Sequence, residues 1–153
     1  MLTRVEEPSD VSVAATVTSS SIFSPSVLRA ISFPLTAGSQ PSIIRTGSDK
    51  ALWFTESGLG KLGRMLPAGV STYTETALPG MTNPLGLALG ADGNFYIADP
   101  TANLVAQFNP LSGKLVTFTA AAGANPTIVT LGPDNEIYFT EPGVNKLAQF
   151  RYF

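Results

Sequence analysis

Short apolar runs recur along this chain with polar turns between them, and no stretch places its apolar residues at helical spacing. The clearest run is Leu52-Trp53-Phe54-Thr55-Glu56, which returns as Phe95-Tyr96-Ile97-Ala98-Asp99 and again as Ile137-Tyr138-Phe139-Thr140-Glu141. Each copy follows a turn holding Asp49, Asp92 or Asp134, and the units that contain them begin at Pro41, Pro84 and Pro126. Spacings of 43 and 42 residues are typical of four-stranded propeller blades. Helical repeats of that length exist, but here runs of Ile, Val, Leu, Phe, Tyr and Thr are broken by Gly, Pro, Asn and Asp, which is strand and turn chemistry. The pattern predicts an all-β chain, a β-propeller with blades starting near residues 41, 84 and 126.

The second unit divides into strands Leu85 to Leu89, Asn94 to Ala98, Leu104 to Phe108 and Lys114 to Thr119. Ala91-Asp92-Gly93-Asn94 is a hairpin signal, because Asp-Gly supplies the positive backbone dihedrals of a tight turn. Asn109-Pro110-Leu111-Ser112-Gly113 makes a later turn, and Pro67-Ala68-Gly69 is its counterpart in the first unit. The third unit reaches Phe153 with its third strand. A shift of 85 residues lays Ile31-Ser32-Phe33 on Val116-Thr117-Phe118, so Leu28 to Leu35 matches a fourth strand with no full blade before it. Propellers have four to eight blades. The expectation is therefore three four-stranded blades per chain, with two chains forming a six-bladed ring and Leu28 to Leu35 of each closing the last blade of the other. Residues 1–27 read as an N-terminal extension, partly disordered, and 28–153 as the half propeller.

Composition removes several chemistries. With 13% charged residues, 44% hydrophobic residues and a net charge of -2, the chain has no basic cluster for nucleic acid. It has no cysteine and no histidine, which excludes thiolate chemistry, the commonest general base and the commonest nitrogen metal ligand. An acidic, proline-bearing N-terminus and the lack of a long apolar run predict a protein without a membrane span, soluble and cytoplasmic.

Trp53-Phe54-Thr55-Glu56 with Lys61-Leu62-Gly63-Arg64, and Gly132-Pro133-Asp134 before Ile137-Tyr138-Phe139-Thr140-Glu141 and Asn145-Lys146-Leu147, resemble the repeat of the virginiamycin B lyase (streptogramin lyase) family over Ile31 to Phe150. The resemblance implies a six-bladed propeller. Members that open streptogramin B depsipeptides do so by elimination, with magnesium and an essential histidine. This chain holds half the usual blades and no histidine, so only the acidic repeat positions are carried over as ligand candidates.

In a propeller the loops after the second strand and those between blades share one face. Glu56, Asp99 and Glu141 head the first kind of loop, and two chains would place six such carboxylates around one mouth, a setting for Mg²⁺ or Ca²⁺. The structural alternative is that each carboxylate accepts bonds from its own loop amides. Arg45, equivalent to Ala88 and Thr130, breaks the repeat on the innermost strand; it would meet a ligand carboxylate, enolate or phenolate, or else an ion-pair partner or channel water. Gln40, Asn83 and Asn125 precede the opening prolines as ligand contacts or loop caps, while Trp53, Tyr96 and Tyr138 read as core.

Two functions stand. One is an enzyme of lyase or cyclase type converting a small organic metabolite in the central cavity, with Glu56 or Glu141 as base, a metal as electrophile, or Arg45 polarising a carbonyl. The other is a non-catalytic module that binds a metabolite, peptide or glycan on the same face. The predicted partners are a second copy and a small-molecule ligand.

Overall fold

The computed structural model describes residues 30–67 and 73–151. Contacts divide the chain into Met1–Leu35 and Thr36–Phe153, and the strands described lie in the second unit. Three antiparallel sheets follow one another. Blade 1 runs β1 (Pro41–Thr46), β2 (Leu52–Glu56), β3 (Lys61–Met65) and β4 (Tyr73–Ala77). Blade 2 runs β5 (Gly86–Leu89), β6 (Phe95–Asp99), β7 (Leu104–Phe108) and β8 (Leu115–Thr119), and blade 3 runs β9 (Val129–Leu131), β10 (Ile137–Glu141) and β11 (Lys146–Phe150). The strands expected in unit two are all present, with ends moved by at most one residue. Leu85, expected as the first residue of its strand, still donates its amide to Ala98 O at 2.9 Å.

Neighbouring sheets meet most closely through their first strands, β1 on β5 and β5 on β9, so these line the propeller axis. At Gly86 a Cβ would come within 2.5 Å of Thr127 O, and only glycine lets β5 approach β9 this closely. Blades 1 and 2 are joined by Ile43, Trp53, Leu62, Leu87, Phe95 and Phe108. Blades 2 and 3 are joined by Ala88, Tyr96, Val105, Val129, Ile137 and Phe139, with Phe118 stacked at 4.9 Å on Phe150 further out.

The turn before each second strand differs from the expected tight turn with positive dihedrals at both central positions. Only the residue after the aspartate or its equivalent is left-handed, Lys50, Gly93 or Asn135, at φ of 62°, 77° and 65°. Gly93 N donates to Gly90 O and Gly90 N to Asn94 O, the pattern of a three-residue loop in which a type I turn is followed by one left-handed residue. The aspartate is freed for another task. Asp49 accepts Trp53 Nε1–H at 3.1 Å and Arg64 Nε–H at 2.8 Å. Asp92 accepts the Tyr96 hydroxyl and Gln107 Nε2 at 3.0 Å each, and Asp134 accepts the Tyr138 hydroxyl at 2.7 Å. Trp53 and Tyr96 are thus core residues whose polar edges are satisfied by the preceding turn, whereas Tyr138, expected in the core, is only half-buried because its ring lines the uncovered face of blade 3.

Residues 30–35, part of the expected N-terminal strand, carry no strand pairing among the described residues. Leu28, the extension over 1–27, and Ala68-Gly69 of the first-blade turn lie outside the described residues. Among the described residues no helix is long and apolar enough to cross a membrane.

Candidate functional site

One end of the three blades collects the loops after β2, β6 and β10 together with the loops that enter each blade. In blade 1 Ser57 N donates to Gln40 O and Gly58 N to Ser39 O. In blade 3 Gly143 N donates to Ala124 O. These contacts are so close that a Cβ at Gly58 would lie 2.0 Å from Gly38 O, and one at Gly143 would lie 1.8 Å from Gly123 O. Blade 2 differs because its entering loop, Gly80-Met81-Thr82-Asn83-Pro84, is one residue longer than Gly38-Ser39-Gln40-Pro41 and Gly123-Ala124-Asn125-Pro126. Thr101 occupies the position of those two glycines there. The alternation of 43 and 42 in the repeat is this one residue.

The extra residue decides what the blade-2 carboxylate does. Asp99 is fully buried, and Oδ2 accepts from Thr82 N at 2.6 Å and Asn83 N at 2.8 Å. Oδ1 accepts from Thr101 N at 2.9 Å and Ala102 N at 2.8 Å. Four amides from two loops converge on one carboxylate, which clamps the mouth of this blade and has little capacity left for a cation.

Glu56 stands at the same repeat position with the opposite environment. Its side chain is fully buried, and neither oxygen has a hydrogen-bond partner among the described residues. Burial pushes its carboxyl above the ordinary carboxylate range and the negative charge of Glu75 pushes the same way, while Lys61 and then Tyr73 oppose them. The Tyr73 hydroxyl is committed elsewhere, to Thr36 Oγ1 at 2.8 Å and Glu75 Oε1 at 2.9 Å. Lys61 is held by Glu75 Oε2 at 2.5 Å. That ammonium, with help from Thr36 and Tyr73, lowers the Glu75 carboxyl to about 2.

Glu141, 6% exposed, makes no side-chain hydrogen bond among the described residues. Glu56, Asp99 and Glu141 do not converge within the chain, since no three acidic side chains among the described residues come together as a metal cluster. Gln40 and Asn125 are exposed and left-handed, at φ of 47° and 51°, and their backbones cap loops. Gln40 O accepts from Ser57 Oγ at 2.7 Å, and Asn125 N donates to Asn103 Oδ1 at 2.8 Å. Asn83, besides its bond to Asp99, donates Nδ2 to Thr101 Oγ1 at 3.2 Å.

Arg45 lies opposite Trp53 in the β1–β2 ladder, and its counterparts Ala88 and Thr130 lie opposite Tyr96 and Tyr138, as the repeat requires. It is exposed on the axial strand, donating Nη1 only to the neighbouring carbonyl of Ile44 at 2.9 Å. No carboxylate pairs with it among the described residues, where the ion pairs are Lys61–Glu75 and Arg64–Asp49. Glu56 sits three ladder positions further along β2, so the two are separated by about 10 Å along the strand. They do not act on one atom.

The model of the virginiamycin B lyase family matches residues 23–152. The chain belongs to that family. Among solved structures it is similar to a catalytically inactive histidine-to-alanine variant of virginiamycin B lyase from Staphylococcus aureus with quinupristin. The two are 32% identical over 78% of this chain and 41% of that one, with a TM-score of 0.71. It is also similar to a streptogramin B lyase, 28% identical over 79% of this chain and 44% of that one, with a TM-score of 0.67. Hydrazine synthase of Kuenenia stuttgartiensis, 16% identical over 74% of this chain and 36% of that one, with a TM-score of 0.55, shares the fold alone. No curated protein matches the chain. The chain spans less than half the length of these solved relatives. The amides of Thr101 and Ala102 on Asp99 are those of its own loop, the structural alternative given above, whereas those of Thr82 and Asn83 come from the lengthened entering loop, whose only signal in the sequence is the single-residue change of period.

Proposed function

We propose that this chain acts on a small organic molecule in the axial cavity of a propeller shared by two copies, as a lyase- or cyclase-type enzyme that works without a histidine of its own. Family membership supports the ligand class, since a relative is solved with quinupristin. The observation that carries the reading is Arg45: a guanidinium on the axial strand, exposed, bound only to Ile44 O and without an acidic partner among the described residues. Such a group suits a carboxylate, enolate or phenolate of a ligand, and it polarises a carbonyl as negative charge develops. Glu141 and Glu56 serve as proton-transfer groups at the mouth, Glu56 about 10 Å along the strand from the arginine, so the ligand reaches from the mouth down the channel. If Mg²⁺ or Ca²⁺ takes part, Glu141 is the mouth carboxylate best placed to hold it, because Asp99 is saturated by four amides.

The second reading, a module that binds without turnover, is favoured by the same saturation of Asp99 and by the complete burial of Glu56, which leave few free acid–base groups at the mouth. Incubation with quinupristin and mass spectrometry of the mixture separates the two. Turnover appears as a changed ligand mass or retention, and binding alone as an unchanged ligand that co-elutes with the protein. Arg45→Met should weaken ligand binding at least about tenfold with unchanged thermal stability. Unaltered binding by that variant would remove Arg45 from the site.

A further inference from the structure

Each blade buries one face against the next by the same residue positions. In blade 1 Leu62 is 0% exposed beneath blade 2, and in blade 2 Val105 is 1% exposed beneath blade 3. Their equivalent in blade 3, Leu147, is 75% exposed. The answering position shows the same contrast at the other end of the stack: Leu87 and Val129 are 1% and 2% exposed, but Ile44 of blade 1 is 54% exposed. Around Leu147 the open face of blade 3 forms an apolar hollow of about 380 Å³, lined by Ile128, Leu131, Pro133, Tyr138 and Phe139 and by no charged residue. Ile128 is equivalent to Ile43, which already packs on the far side of the blade 1–2 junction near Leu87. The two ends of the stack are therefore the two halves of a junction that the chain builds twice internally.

We propose that the open face of blade 3 docks blade 1 of a second copy of this chain, with Ile128 and Leu147 set against Ile44 of the partner subunit. The two junctions are related by a two-fold axis and close six blades around one channel. The hollow on blade 3 has no charged lining residue, which favours a copy of the chain over a charged partner, because Leu147 and Ile44 match by position residues that the chain's own junctions bury. This specifies the two-copy cavity above and rests on it, but the test below reads mass alone, so it can succeed where the ligand reading fails.

Sedimentation equilibrium at micromolar concentration should give twice the 16.0 kDa of one chain. Ile128→Asp and Ile44→Lys each place an unpaired charge in the junction and should weaken dimerisation at least about a hundredfold. Both positions are solvent-exposed in the single chain, so circular dichroism should show each variant folded. Mixing the Ile128→Asp chain with the Ile44→Lys chain should restore a dimer, which then has one wild-type junction and one Asp–Lys junction. A monomeric wild type overturns the proposal, as does a dimer indifferent to both substitutions. So does an Ile44→Lys chain that dimerises normally by itself, because blade 3 would then be pairing with blade 3.

Discussion

Asp99→Asn tests whether the repeated carboxylate is a loop clamp or a ligand group. In the wild type each oxygen accepts two backbone amides, at 2.6 and 2.8 Å on one side and 2.9 and 2.8 Å on the other. An amide side chain can keep two of these bonds with its oxygen. Its NH₂ then faces two donors, and turning it over only changes which loop loses. Two amides without partners cost about 1–3 kcal/mol each. Thr82 and Thr101 lie in exposed loop positions where water can enter, so the lower part of that range applies, about 2–4 kcal/mol in all. For a chain of this size that is a fall in melting temperature of roughly 10 °C. Urea unfolding followed by far-ultraviolet circular dichroism and by the fluorescence of Trp53 reads the change directly. An Asn variant within about 0.5 kcal/mol of wild type, with an unchanged denaturant slope, would refute the clamp.

Glu56→Gln should do the reverse at neutral pH. Burial raises the folded-state pKa of Glu56 above its unfolded value, so the wild type loses stability as pH rises through that raised pKa, whereas Gln does not titrate. The variant's advantage should be absent below about pH 4.5 and grow above it; a difference flat in pH would contradict the account. Glu75 has the opposite sign: its pKa, lowered to about 2, contributes stability that is present above the unfolded value and lost as pH falls through about 2. Lys61→Met should therefore move the acid-unfolding midpoint upward, as seen by circular dichroism, and an unmoved midpoint would show that the ion pair is not coupled to folding. Gly143→Ala forces a Cβ to within 1.8 Å of Gly123 O and should destabilise by about 3 kcal/mol in thermal melts, whereas Thr101→Ala in the longer blade-2 loop should be mild, about 0.5 kcal/mol. Equal effects at the two positions would remove the inserted residue as the cause.

The repeat was open to reading because strand residues, turn glycines and asparagines, and the second-strand aromatics each return at one spacing. Tight blade-to-blade packing demands the same chemistry in each unit. Arg45 was visible for the converse reason, as a charge where the repeat has Ala88 and Thr130. The roles of the carboxylates were hidden, because Glu56, Asp99 and Glu141 look alike along the chain. Their difference lies in where backbone amides from another loop point, and that depends on one residue between Gly80 and Pro84. The turn aspartates were likewise seen as turn formers, while their bonds to Trp53, Tyr96 and Tyr138 required the loop geometry.

The sequence by itself determined the blades, their register and the family, because hydrophobic periodicity and turn chemistry are local and repeated. Tertiary structure alone decided which acidic residue is saturated, which is buried without partners, and which blade faces are left open. Those properties arise from the approach of segments distant in the chain, where displacing a loop by one residue decides whether a carboxylate meets four amides or none.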